Sequence, residues 1–435
     1  MPARDPREII EYAPMSRAQI AAVAIMVGLN ALDGFDVLSI SFASPGIAAD
    51  WGIDRVALGV VLSMELIGMA VGSVVLGGVA DRIGRRRTIL GCLCVMALGM
   101  AMATQADDVL TLSCWRVLTG LGIGGMLAAI NAVTAEFANA RRRNLALAIM
   151  VIGYPLGAVI GGLVSAWLLA VFHWHAIFWF GCLVTAAFIP LVWFFVPEPM
   201  PFLLVRRGPD AEERINALLA RCGHLPVSEL PPPTVEEASA SLADILRPGL
   251  IGTTLLITFA YFAHVVSFYF ILKWVPKIVV DIGFPPPEAA GVLVWANLGG
   301  AIGGALFGLI VQRLPLKGMT VAVLLGSSVM VALFGALGVN TLSGLSALAF
   351  ASGLFTNSAV SGLYTIFARA FPTHVRATGT GFAIGVGRGG AALSPIAAGM
   401  LFQAGLPLAM VSTLIASGSL LAAIALFCLK LRVRG

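Results

Sequence analysis

Asp33 and Asp36 stand three residues apart in Leu32-Asp33-Gly34-Phe35-Asp36-Val37-Leu38, inside an apolar run from Ile20 to Ala43 that holds no other charge. Residues three apart on a helix share a face, so the two carboxylates are neighbours. At bilayer depth a carboxylate is costly, and two repel each other. Burial and repulsion both favour a protonated carboxyl, which suits a group that loads and unloads a proton near neutral pH. The pair is expected to carry a proton or hold a cation. The alternative is that one aspartate caps or hydrogen-bonds a neighbouring helix near Gly34.

The remaining ionisable residues deep in apolar runs are Glu65, Arg116, His264 and Arg388, with Glu136 and Lys273 near the ends of theirs. The acids fall in the first half of the chain and Arg388 in the second. A lone buried cation needs an anion, and the guanidinium fork matches a planar carboxylate. Arg388 is therefore expected to grip the carboxylate of a small substrate, or else to pair with an acid of the other half. The proton-coupling candidates are Asp33, Asp36, Glu65 and Glu136, where Glu65 is either a second proton site or a protonated packing partner. Phe268, Tyr269 and Tyr261 are candidates to stack on a ring substrate, although most aromatics in apolar helices pack or anchor. Asn297 is a candidate hydrogen-bond donor to ring substituents. His264 either takes a substrate or proton role or is a satisfied core histidine.

These residues must be held at depth by long helices. Of 435 residues, 59% are hydrophobic and 11% charged, less than half the charge of a soluble domain, so the chain is expected to sit in a lipid bilayer. The net charge of +5 does not indicate nucleic acid, because the basic residues lie in short loops. The six cysteines show neither metal spacing nor a disulfide pattern. The five histidines offer no nucleophile–base set, so an enzyme is not expected. The N-terminus lacks a short apolar segment with a cleavage site, so no removed signal peptide is expected.

Apolar runs of bilayer length occur at about 18–45, 55–79, 87–105, 109–135, 144–171, 175–196, 249–275, 288–311, 318–338, 342–367, 376–403 and 406–430. The stretch between the sixth and seventh is hydrophilic, with one amphipathic helix expected near 209–221. The organisation is six plus six: a bundle over 1–197, a linker over 198–247 and a second bundle over 248–435. Arginines and lysines crowd one side, at Arg82, Arg85, Arg86, Arg87, Arg141, Arg142, Arg143, Arg313, Lys317, Arg369 and Arg376. The other side holds Arg55 and Lys277 among several aspartates. The positive-inside rule then puts both termini and the linker in the cytoplasm, with the chain in an inner membrane.

Loops repeat between the halves. Gly77, Asp81 and Arg82 align at one offset with Gly308, Gln312 and Arg313, and Glu136–Arg143 matches Arg369–Arg376. A duplicated six-helix unit is a plan of secondary transporters, with the site between the halves.

Gly77-x-x-x-Asp81-Arg82-x-Gly84-Arg85-Arg86 resembles the loop signature of the major facilitator superfamily, and Arg116-x-x-Thr119-Gly120-x-Gly122 its fourth-helix arginine motif. Within it the chain resembles the aromatic acid:proton symporters, through Asp33-Gly34-Phe35-Asp36, Trp274-x-Pro276 ending the seventh span, and Arg376-Ala377-Thr378-Gly379-x-Gly381 running on to Gly387-Arg388. Departures exist: the second-half loop has Gln312 and Pro315, and the fourth span lacks a proline after Gly125. The resemblance implies an all-α membrane fold of twelve transmembrane helices in two pseudo-symmetric bundles. It implies that Arg116 joins the proton-coupling set, relaying protons or holding Asp33 and Asp36, with a purely structural pairing as the alternative, and that Asp81 and Arg85 latch the halves, with Arg143 and Arg376 at the equivalent gating loops. The expected activity is proton-coupled import of an aromatic carboxylate of benzoate, hydroxybenzoate, vanillate or cinnamate type by alternating access. The alternative is a non-aromatic organic or sugar acid; a drug exporter fits less well, because Gly153-Tyr154-Pro155 lacks that group's Gly-Pro pair. No cofactor is expected beyond the proton itself, and a monomer should suffice.

Overall fold

The computed structural model describes residues 5–205, 210–227, 230, 242–372 and 375–429, almost all of them helical. The helices are α1 (Pro6–Tyr12), α2 (Arg17–Trp51), α3 (Arg55–Ile83), α4 (Arg85–Ala103), α5 (Val109–Phe137), α6 (Arg143–Val171), α7 (His175–Phe195), α8 (Met200–Val205), α9 (Ala211–Arg221), α10 (Leu242–Ile245), α11 (Ile251–Ile282), α12 (Pro286–Ile310), α13 (Leu316–Ala336), α14 (Leu342–Ala370), α15 (Arg376–Gln403) and α16 (Leu408–Cys428). The twelve expected spans are α2–α7 and α11–α16. Ten are long and apolar enough by composition to cross a bilayer; α14 and α15, richer in glycine, serine and threonine, are as long but less apolar.

Two helices outrun the sequence expectation because a proline does not end them. The seventh span does not stop at Trp274-x-Pro276; α11 continues through Pro276 to Ile282, and α2 passes Pro45 to reach Trp51. A proline costs one intrahelical hydrogen bond, which side chains can make good inside a bundle. At Pro45 the Ser44 hydroxyl donates to the Ser41 carbonyl, the acceptor that the missing N–H leaves. The amphipathic linker helix is α9, which buries Ile215, Leu218 and Leu219.

Packing within α2–α7 is repeated within α11–α16. α3 lies on α5 as α12 lies on α14; α2 on α6 as α11 on α15; α4 on α7 as α13 on α16. Contacts across the halves obey the same pseudo-two-fold, pairing α3 with α15, α6 with α12, and α2 with α11. Helices approach closely where a glycine omits its side chain. A Cβ on Gly157 of α6 would meet the Ala31 backbone of α2, and one on Gly34 the Tyr154 carbonyl. Gly157→Leu should therefore destabilise the protein by about 1–3 kcal/mol or more, read as thermal unfolding in detergent. Gly91→Ala, where a Cβ meets open space, should change little.

The halves meet at one end and part at the other. α3 touches α15 at Gly59 against Pro395 and at Arg55 against Gly399. Further along this line the Arg388 guanidinium donates to the Met69 carbonyl at 2.8 Å. Beyond it, Gly78, Gly381 and Gly385 face open space. The closed end carries an inter-half ion pair, Arg55 to Asp281 at 3.2 Å, with Arg55 also 5.1 Å above the Phe402 ring. The open end carries the arginine-rich loops.

Candidate functional site

α2 holds Asp33 and Asp36 at mid-length, 1% and 0% exposed. Gly34 between them lets α6 close against this turn, which shuts water out of the aspartates. Neither Asp36 carboxylate oxygen has a hydrogen-bond partner among the described residues, and Asp33 Oδ1 has none either. Buried carboxyl oxygens without partners are costly unless function keeps them. Asp36 points into the first half, towards Gly181 of α7. Asp33 interacts electrostatically with Arg388 of the second half.

Arg116 of α5 is wholly buried beside this turn. It does not hold the aspartate carboxylates. Its guanidinium donates to the Asp36 backbone carbonyl at 3.1 Å, lies 5.3 Å from the Phe178 ring centre, and makes its ion pair with Glu65 of α3. The other Glu65 oxygen lies 3.8 Å from Lys273 Nζ, which reaches across from α11 and also donates to the Val37 carbonyl of α2. Three acids (Asp33, Asp36, Glu65) and three bases (Arg116, Lys273, Arg388) thus occupy the middle of the molecule.

Arg388 stands apart in this set. It is half-buried, its hydrogen bond goes to a backbone carbonyl, and no carboxylate among the described residues lies within ion-pair distance. Tyr269 of α11 and Tyr154 of α6 are electrostatically coupled to Asp33, and Tyr269 also to Arg388. Phe268 packs edge-on against Tyr269, 5.2 Å between ring centres. Tyr261 shares a hydrogen bond with Tyr364 at 3.0 Å, and its ring covers Gly387, one residue from Arg388. These rings, Arg388 and the three acids form one contiguous region.

Four sequence candidates have other partners. Both His264 ring nitrogens are used, Nδ1 with Ser419 Oγ at 2.9 Å and Nε2 with the Thr356 carbonyl at 3.0 Å, in an unexposed seam of α11, α14 and α16. Both nitrogens are thus committed to helix packing. Asn297 donates one amide N–H to the Leu293 carbonyl of its own helix at 2.9 Å. Glu136 does not join the proton-coupling acids: it lies twenty residues along α5 from Arg116, about 30 Å away, and pairs with Arg85 at 3.0 Å. Arg143 pairs with Glu11 at 3.2 Å, inside the first half.

At the open end, Gly84 precedes α4 and offers no capping side chain. Glu198 supplies the cap instead, accepting the Arg85 N–H at 2.5 Å and the Arg86 N–H at 3.3 Å. Burial pushes its carboxyl above the ordinary range, against the pull of these donors. Arg376 opens α15 and is exposed. Asp81 lies in α3, but its side chain is outside the described residues.

Sequence reasoning gave no role to Lys273 or Glu198. Lys273 carried a signal, as a lysine inside Phe270-Ile271-Leu272-Lys273-Trp274. Its position nine residues before the end of α11 shows only once the helix is seen to pass Pro276. Glu198 had no signal beyond an acid in a hydrophilic stretch.

A helical protein of two like halves, closed at one end over a buried set of acids and bases and open at the other, has the architecture of a membrane transporter. Residues 26–338 match the Major Facilitator Superfamily. The chain is 31% identical over 433 residues to a gallate transporter of Pseudomonas putida, covering 97% of this chain and 94% of that one. It is 32% identical over 401 residues to the 4-hydroxybenzoate transporter PcaK of Pseudomonas putida, covering 89% and 87%. Its fold superposes on a D-xylose-proton symporter with a TM-score of 0.72, at 15% identity and covering 94% and 97% of the chains. The chain belongs to the major facilitator superfamily. It is a transporter, not an enzyme, and these curated relatives carry aromatic acids.

Proposed function

We propose that this transporter imports an aromatic carboxylate together with protons, by alternating access across the inner membrane. The observation that carries the proposal is Arg388. It is a cation at mid-depth whose hydrogen bond goes to a backbone carbonyl, with no carboxylate of the described residues within ion-pair distance, beside Tyr269 and Tyr261 and in electrostatic reach of Asp33. An incoming carboxylate would take the place of the missing acid, and its ring would lie among the tyrosines. The relatives' substrates support the same class. The positive-inside rule directs the arginine-rich end, and with it both termini, to the cytoplasm, so the structure is open inward.

Protonation of the buried acids removes negative charge that would repel the substrate anion. Proton first and anion second is then the favourable order, and the loaded carrier rocks about the closed end. The proton gradient drives accumulation, no cofactor takes part, and one chain is a complete machine.

The test is uptake of radiolabelled gallate, 4-hydroxybenzoate, benzoate and gluconate into proteoliposomes, with an inward proton gradient on and off. Gradient-driven uptake of an aromatic acid, with loss of accumulation but not of exchange in Asp36→Asn, supports the proposal. Uptake of gluconate alone moves the substrate class to aliphatic acids. Uptake indifferent to the gradient removes proton coupling.

A further inference from the structure

One element of the buried network belongs to neither a proton site nor a substrate grip. Lys273 comes from the second half and ends on the first: on the Glu65 carboxylate at 3.8 Å and on the Val37 carbonyl. Lys273 and Glu65 are both wholly buried. Arg116 takes the other Glu65 oxygen. A chain of charges, Arg116–Glu65–Lys273, therefore joins α5 and α3 to α11 and bridges the halves. It lies on the closed side of the Arg388–Met69 contact, one turn of α3 or about 6 Å from it, where α3 still packs on α15.

For the closed end to open, α11 must leave α2 and α3. That separation pulls Lys273 from Glu65 and exposes two buried charges to each other's loss, which is unfavourable in a low-dielectric interior. A proton on Glu65 changes this. The carboxylate becomes a neutral acid, its attraction for Lys273 disappears, and Lys273 keeps only the Val37 carbonyl. Resting on the proton-coupled reading above, we infer that Lys273 is an inter-half tether, held by ionised Glu65 and released when Glu65 takes a proton. No covalent bond is made or broken other than that of the proton, which arrives on Glu65 from the medium and leaves on the return.

The neighbours of Glu65 fit a switch rather than inert packing. α5 presents Arg116, α11 presents Lys273 and Tyr269, α2 presents Asp33 and Asp36, and α6 presents Tyr154, all electrostatically coupled to Glu65 or in contact with it. α15 presents Arg388 one turn away. α4 carries its charges, Arg85, Arg86 and Arg87, at its far end. With Glu65 protonated, Arg116 and Lys273 face each other without their shared anion. The site is then electrically ready for a substrate carboxylate, so proton and anion binding favour each other.

The experiment is a spin-label distance across the closed end in full-length protein in lipid nanodiscs, between Ala49→Cys and Glu288→Cys, with the six native cysteines replaced, from pH 8 to pH 5. Both positions are exposed and lie in different halves. The wild-type background should gain a longer distance as the pH falls. Glu65→Gln and Lys273→Gln should each show that longer distance at pH 8, raised about tenfold in population, with no further response to pH. The double variant should exceed neither. Lys273→Arg, which keeps the charge, should restore the pH response and covers the case in which Lys273→Gln does not fold. A wild-type pH response that survives in Lys273→Gln overturns the tether. If gradient-driven uptake persists in that variant, proton coupling stands while the tether falls. A wild-type distance that ignores pH, in protein that still takes up substrate with the gradient, overturns it equally.

Discussion

Arg388→Gln should lower the apparent affinity for the aromatic acid by roughly 100-fold, the factor for losing a charge-assisted pair of about 3 kcal/mol. The protein itself should be as stable as before, because the side chain makes one hydrogen bond, to the Met69 carbonyl. That combination separates a substrate grip from a structural ion pair, whose loss strands a buried charge and lowers stability. Arg388→Lys keeps the charge but not the fork, and should fall between wild type and Arg388→Gln. Substrate binding by tryptophan quenching, run beside thermal unfolding, reads both quantities. Unchanged affinity in Arg388→Gln would move the carboxylate site elsewhere.

The second large effect is on folding. Arg116 is unexposed and shares Glu65 with Lys273, and its guanidinium also ties the Asp36 carbonyl to α5. Arg116→Gln leaves a buried glutamate with a cation 3.8 Å away as its remaining partner, a loss of about 3–5 kcal/mol. Thermal unfolding in detergent should show it. The double variant Arg116→Gln with Glu65→Gln should recover much of the loss, since both ends of the pair are then neutral. If the double variant is as unstable as the sum of the singles, the two residues do not act through each other. The same protein bears on transport: Arg116→Gln leaves Glu65 to Lys273 alone, and a tether so strengthened should slow opening of the closed end.

How much was legible in the sequence differs from residue to residue. Asp33 and Asp36 announced themselves because charge inside an apolar run is rare, and their spacing places them on one helical face. Arg388 was legible for the same reason. The pairing was not legible. Arg116 could have held either aspartate; whether it meets a carboxylate or a carbonyl of α2 depends on the rotation of α2 against α5, which the 3.6-residue period does not fix between helices. Glu136 read as a proton-coupling acid because it is a carboxylate near the end of an apolar run. Their separation along the axis, and the presence of Arg85 opposite, belong to the packed structure. His264 read as a possible ligand until its two nitrogens proved to be occupied by α14 and α16.

By itself the sequence determined the count of long helices, the hydrophilic stretch between the sixth and seventh, the duplication of the loops and the identity of the buried acids and bases. Each follows from rules local to the chain: a bilayer demands apolar runs of about 20 residues, and a buried charge is conspicuous wherever it stands. Only the tertiary structure decided which charges meet. Helix packing brings Lys273 from the second half onto Glu65 of the first and leaves Arg388 with no acid of the described residues within ion-pair distance. It also decided which end is shut, through Gly59 on Pro395, Gly162 on Val294 and Arg55 on Asp281. The physical reason is that ion pairs between the halves depend on distances of a few ångströms between residues more than two hundred positions apart, and close packing sets those distances while spacing along the chain does not.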